Sequence, residues 1–268
     1  MNQEQVKKKL LELDSEVEDF KLTMTGKSSK KVDGLYKPDT REILLHNENF
    51  KDDNQLMFTA IHEFAHHIQF TKSSVPVYIR AHTTNFRQIF HRLLAKAEEK
   101  KIYINVFKIN EEFIRMTELI KRNFLTENGR LMIEFGKILV DAYGLCIKYG
   151  ASFEDYLERT LGFSKPNASV LLKIQGMNMN PEVGFDNMKT MARIKDPEER
   201  EAAQNAIMEG ESPELVKADY VKNRSVNREN KLDNLIEEKL KIQKHIDNLH
   251  VKLAQLELKI EEIERNSK

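Results

Sequence analysis

The spacing of apolar positions divides the chain into stretches with different periods. Gln5 to Phe20 alternates on a helical period and reads as an amphipathic helix, whereas Lys21 to Thr25 and Arg41 to Leu45 read as short strands. Turn signals at Gly26, Gly34 and Pro38-Asp39 separate those strands. A helical stripe follows, made of Met57, Ile61, Phe64, Ala65 and Ile68, with N-cap candidates in Asp52-Asp53-Asn54. The segment Thr71 to Arg80, containing Ser73, Ser74 and Pro76, reads as a loop. A second stripe then begins near Thr83 or Thr84 and runs through Phe86, Ile89, Phe90, Leu93, Leu94 and Ala97. These elements predict an α+β domain over residues 1–105, a small sheet packed on two helices. The strand Glu42 to Leu45 is either an ordinary sheet strand or an edge on which an extended peptide could be laid.

Beyond Tyr103 the pattern is helical throughout. Glu111 to Asn123 and Leu131 to Tyr149 are strongly helical, and the second is apolar enough to centre a second core. Over 152–175, Ser152 with Asp155 forms a capping-box pattern, Gly162 breaks the first helix and Ser164 can cap a second helix with Pro166 in its first turn. Leu157, Leu161, Phe163 and Leu171 surround the turn. Two readings stand: a helix-turn-helix that offers Lys165, Asn167, Ser169 and Lys173 to DNA, or a plain helical packing module. Pro181, Gly184, Pro197, Gly210 and Pro213 then punctuate short helices, of which Asp196 to Met208 is the clearest.

The last stretch steps by threes and fours through Leu232, Leu235, Ile242, Ile246, Leu249, Leu253, Leu256, Ile260 and Ile263, with Lys239 at a core position. That spacing predicts a coiled coil and self-association. A long helix folded back on the helical domain is the alternative. The expected organisation is therefore 1–105, a helical domain over 106–224, and a coiled coil over 225–268.

One group on the first stripe changes the picture from architecture to chemistry. Ile61-His62-Glu63-Phe64-Ala65-His66-His67 places H-E-x-x-H on a helix. At about 100° per residue, His62 and His66 lie on one side and can share one ion, with Glu63 beside them to take a proton from water held by the metal. A His-Glu-His group beside a core-facing stripe is costly to bury unless something satisfies it, and a metal does so. His67 is rotated by about 100° from His66 and is read as a non-ligand.

A catalytic zinc site needs a third protein ligand. His82, four residues before Phe86 at the start of the second stripe, is the first choice. Glu98 or Glu99 is the alternative, although both fall within the charge run Lys96-Ala97-Glu98-Glu99-Lys100-Lys101. His91 reads as a packing histidine. Tyr78, in the loop before His82, is a possible donor to an oxyanion.

These segments, namely Gly34-Leu35-Tyr36, Arg41 to Leu45, His62-Glu63-Phe64-Ala65-His66-His67 and His82-Thr83-Thr84-Asn85-Phe86, resemble the SprT-like and related minimal zinc metalloproteases over roughly residues 15–105. The resemblance implies a zincin-like fold, zinc, His82 as third ligand, and cleavage of proteins on or near DNA. The glycine-containing segment usual beside the third histidine is replaced here by His82-Thr83-Thr84-Asn85. A second resemblance, to ImmA/IrrE peptidases, rests on Gly34-Leu35-Tyr36 with the His-Glu motif. It implies a glutamate third ligand and a DNA-binding or mobile-element regulator.

Composition narrows the alternatives without choosing among them. The 268 residues carry 43 Lys+Arg and 43 Asp+Glu, so no global basic excess announces nucleic acid, and DNA contact would need a local patch. A single cysteine, Cys146, excludes an internal disulfide and suits a reducing, cytoplasmic setting. No signal-peptide or membrane-span pattern occurs, and no membrane partner is expected. The expected activity is zinc-dependent hydrolysis of a protein or peptide substrate. The rival reading is a non-catalytic interaction protein whose metal is only a structural staple.

Overall fold

The computed structural model describes residues 1–72 and 82–221, together with Gln243, Ile246, Leu249, Leu253, Leu256, Glu257 and Ile260. Met1–Val221 forms one compact unit and Lys222–Lys268 another.

Helix α1 spans Gln3–Leu13, shorter at its C-terminal end than the expected Gln5 to Phe20. A reciprocal capping box between Asn2 and Gln5 starts it early. It ends where Asp14 turns extended and its side chain accepts from the Glu16 N–H, satisfying the backbone in a local turn instead. Strands β1 (Lys21–Met24), β2 (Gly34–Lys37) and β3 (Glu42–Leu45) form one sheet in the order β1-β3-β2. Ile43 pairs with Leu22 in parallel on one side and with Tyr36 antiparallel on the other. Two expectations are corrected here. Gly34, read as a turn signal, begins a strand, and β3 is the central strand, so it cannot serve as a peptide-binding edge.

Helix α2 (Asp53–Lys72) packs on this sheet and on α1, and α3 (Thr84–Glu99) packs on α2 and α1. Asp52 caps α2 through the Gln55 N–H at 2.8 Å, and Thr83 caps α3 through the Phe86 N–H at 3.2 Å. Both predicted stripes face the same core. Met57, Ile61, Phe64 and Ala65 are fully buried, and Phe86, Leu93 and Ala97 nearly so, alongside Val6, Leu10, Ile43 and Leu45.

The short helix α4 (Val106–Ile109) leads into α5 (Glu111–Ile120), a wider i→i+5 turn over Lys121–Thr126, and α6 (Glu127–Tyr149). Residues 124–130, between the two expected helical stretches, are helical as well. Gly129 and Gly136 lie within α6 because neighbours approach closely: an added Cβ would come within 2.6 Å of the Pro181 carbonyl oxygen and 2.7 Å of that of Leu171. One face of α6 is buried through Leu139 and Cys146, while Phe124, Leu131, Ile138 and Leu145, spaced by seven, stay exposed.

Helix α7 (Phe153–Asp155) continues as a wide turn over Tyr156–Thr160. Gly162 adopts φ +60°, and α8 (Lys165–Gln175) packs along α6. Leu157 and Leu171 are buried as expected, but Leu161 is exposed and Ser164 makes no side-chain cap. Helices α9 (Phe185–Met191), α10 (Pro197–Met208) and α11 (Pro213–Tyr220) complete this unit around Ile174, Met188 and Met191.

In the C-terminal unit the described residues are helical, and Ile246, Leu249, Leu253, Leu256 and Ile260 are exposed. Leu232, Leu235, Lys239, Ile242 and Ile263 of the expected coil lie outside the described residues. The whole is mostly helical with a small N-terminal sheet, an α+β chain. No helix among the described residues is long and apolar enough to cross a membrane.

Candidate metal centre

Helix α2 carries His62 and His66 one turn apart on the side facing α3, and His82 precedes the N-cap of α3. Their Nε2 atoms converge. His62 to His82 is 3.0 Å and His66 to His82 is 3.2 Å, with donor atoms of all three within 4.8 Å of one another. Three neutral imidazoles cannot all satisfy one another, since each Nε2 either donates or accepts. Four tetrahedral ligands at about 2.0–2.1 Å from zinc sit about 3.3 Å apart. The observed spacings are close to that, so the donor set fits a divalent ion.

Phe86 is the floor beneath the three rings. It stacks on His66 at 4.2 Å and meets His62 and His82 edge-on, each at 4.9 Å. This is the physical content of the His-x-x-x-Phe spacing: a residue one turn into α3 supports the histidine that precedes it. Gln69 ties the two helices together at the same level, donating from Nε2 to Thr83 Oγ1 at 2.8 Å. Two buried polar atoms here, His66 Nδ1 and Gln69 Oε1, have no other partner among the described residues and are complementary if Nδ1 carries its proton, the tautomer that frees Nε2 for a metal; the Gln69 side chain raises the pKa of His66 slightly, as such a contact would.

Burial pushes His62 and His66 down to about 4, and the neighbouring imidazoles add to the effect, so both are neutral at pH 7. Glu63 is only 7 % exposed. Burial pushes its carboxyl up to about 7, and the Tyr36 backbone N–H offsets this only in part. A carboxyl that titrates near neutrality beside a three-nitrogen cluster is the arrangement general-base chemistry needs. His82 is the exposed member and marks the open side of the site.

The other predicted residues lie elsewhere. Glu98, at the far end of α3, accepts from Asn105 at 3.1 Å and pairs with Lys108 at 3.0 Å, and Glu99 is exposed. Neither joins the cluster, because a helix of α3's length separates its ends by roughly 24 Å at 1.5 Å per residue. His91 bonds Ser212 Oγ at 2.5 Å. Tyr78 lies outside the described residues. Lys165, Asn167, Ser169 and Lys173 are exposed on α8, where Lys165 is paired with Glu154 at 2.6 Å.

Sequence reasoning did not single out Gln69 or a contact between Gly34 and Glu63. The only signal for Gln69 was its position three residues after His66, on the same helix face. No family model, curated protein or solved structure matches the chain.

Proposed function

We propose that the chain is a zinc-dependent metallopeptidase with a zincin-like catalytic region of the SprT-like kind. The observation that carries this reading is the convergence of three histidine Nε2 atoms beside the buried Glu63 carboxyl. The use of His82, with Glu98 and Glu99 placed away, supports the SprT-like ligand set over the ImmA/IrrE one. His62, His66 and His82 would hold the ion. Zinc bound there supplies a lowered pKa for water and polarisation of a carbonyl.

Glu63 then takes the proton from the attacking water and delivers it to the leaving amine, moving between its two protonation states in one turnover. Phe86 and Gln69 keep the imidazoles aimed, and the exposed side at His82 admits the peptide. A structural zinc is closed by four protein ligands, whereas among the described residues this cluster has three. The exposed row from Ile246 to Ile260 supports pairing of the C-terminal helix with a second copy as a coiled coil.

The test measures zinc content and hydrolysis of fluorescently labelled casein by the full chain. Wild type should bind one zinc and cleave, while Glu63→Gln should keep the zinc and lose cleavage. Cleavage by Glu63→Gln at the wild-type rate sinks the assignment, as does zinc-loaded wild type that leaves casein intact.

A further inference from the structure

His67, the histidine that the metal does not need, is fully buried in α2. Its Nε2 lies 2.8 Å from the Glu18 carbonyl oxygen and its Nδ1 lies 3.1 Å from the Tyr36 hydroxyl. A carbonyl only accepts, so Nε2 carries the proton and Nδ1 accepts from Tyr36. Phe20 and Phe64 enclose the ring at 5.0 and 6.1 Å, and Tyr36 meets it edge-on. The imidazole therefore has one tautomer and one orientation.

Tyr36 and Gly34 lie two apart on β2 and so address the same face. That face meets Glu63. Gly34 is so close that an added Cβ would come within 2.9 Å of Glu63 Cγ, 3.1 Å of Oε1 and 2.8 Å of Thr59 Cγ2. The Tyr36 backbone N–H acts on the same carboxylate.

Glu63 and His67 are themselves one turn apart on α2, as are His62 and His66. The run His-Glu-x-x-His-His thus encodes two adjacent rows on one helix: His62 and His66 face α3 and the ion, while Glu63 and His67 face β2.

We propose that His67 and Tyr36 are positioning residues for Glu63: their hydroxyl–imidazole bond pins β2 to α2 at the separation where the Gly34–Tyr36 backbone seats the carboxylate. This rests on Glu63 as the base proposed above. Tyr36→Phe keeps the ring and removes only the hydroxyl. It should lower kcat on labelled casein about 10- to 100-fold, the usual effect of losing an outer support, with KM, zinc content and far-UV circular dichroism unchanged. Gly34→Ala, which crowds the seat without touching the pair, should reproduce that loss.

A second readout does not depend on turnover. In protein labelled with ¹⁵N-tyrosine, the Tyr36 amide peak, identified by its disappearance in Tyr36→Phe, should move on Glu63→Gln. An unchanged kcat in Tyr36→Phe overturns the inference while leaving the peptidase assignment standing. A stationary Tyr36 amide peak overturns it whether or not casein is cleaved.

Discussion

Glu63→Gln should stabilise the metal-free protein at alkaline pH. The ionised Glu63 carboxylate is 7 % exposed, and burial raises its pKa from an ordinary 4.5 to about 7. The folded state therefore binds more protons at this site than the unfolded state between those two values. Its contribution is fully present below pH 4.5, falls as pH rises through that window, and levels off above about 7. At 1.36 kcal/mol for each pKa unit, the folded protein loses about 3 kcal/mol across it. Glutamine is nearly isosteric and does not titrate. His62 and His66 shift the other way, losing stability as pH falls from 6.5 toward about 4, but they do so in both proteins and cancel in the difference. Thermal melts in chelator from pH 4.5 to 8.5 should show the variant gaining on wild type by about 6–12 °C over the series for a domain of this size. Added zinc should shrink the gap, because a cation favours the carboxylate. Parallel pH profiles in chelator would refute the reasoning, since they would mean Glu63 is not held in a desolvating site.

His82→Ala should lose zinc and Glu98→Ala should keep it, by metal analysis of purified protein; the opposite result would transfer the third ligand to α3's far end. Histidine ring NMR shifts of the zinc-free protein should show His62 and His66 neutral down to about pH 5, because burial holds both near 4, and titration of either near pH 6.5 would contradict that. Phe86→Ala removes the floor under three rings and should cost about 3–5 kcal/mol in urea unfolding of the zinc-free protein, with weaker zinc binding besides. Gly136→Ala should destabilise by about 1–3 kcal/mol through overpacking against the Leu171 carbonyl, although alanine is the better helix former.

Much of the site was legible because helical periodicity is a local property. The stripe that buries Met57, Ile61 and Phe64 also sets the rotation of His62 and His66, and the phase of Phe86, Phe90 and Leu93 sets where His82 must begin. The strand order was not legible. β3 precedes α2 in the chain and looks like a free edge, yet it lies between β1 and β2, because pairing depends on partners distant in sequence. Gly34 misled for a related reason. Glycine signals a turn when its conformation matters, but here it is used for closeness to Glu63 and Thr59, which only the packed helix supplies. Gly129 within α6 repeats that lesson against the Pro181 carbonyl.

What the sequence determined alone was the chemistry at hand: two imidazoles and a carboxylate within one helical turn, since covalent spacing and helix geometry together leave them no other relation. What tertiary structure decided was the choice of third ligand and the state of the base. His82 rather than Glu98 completes the cluster because α3 lies along α2 with its N-terminal end level with His62 and His66, while Glu98 at its far end meets Asn105 and Lys108 instead. Glu63 titrates near neutrality because the packed fold buries it, with Gly34 of β2 close against it, since desolvation is set by what surrounds a residue and not by its neighbours in the chain.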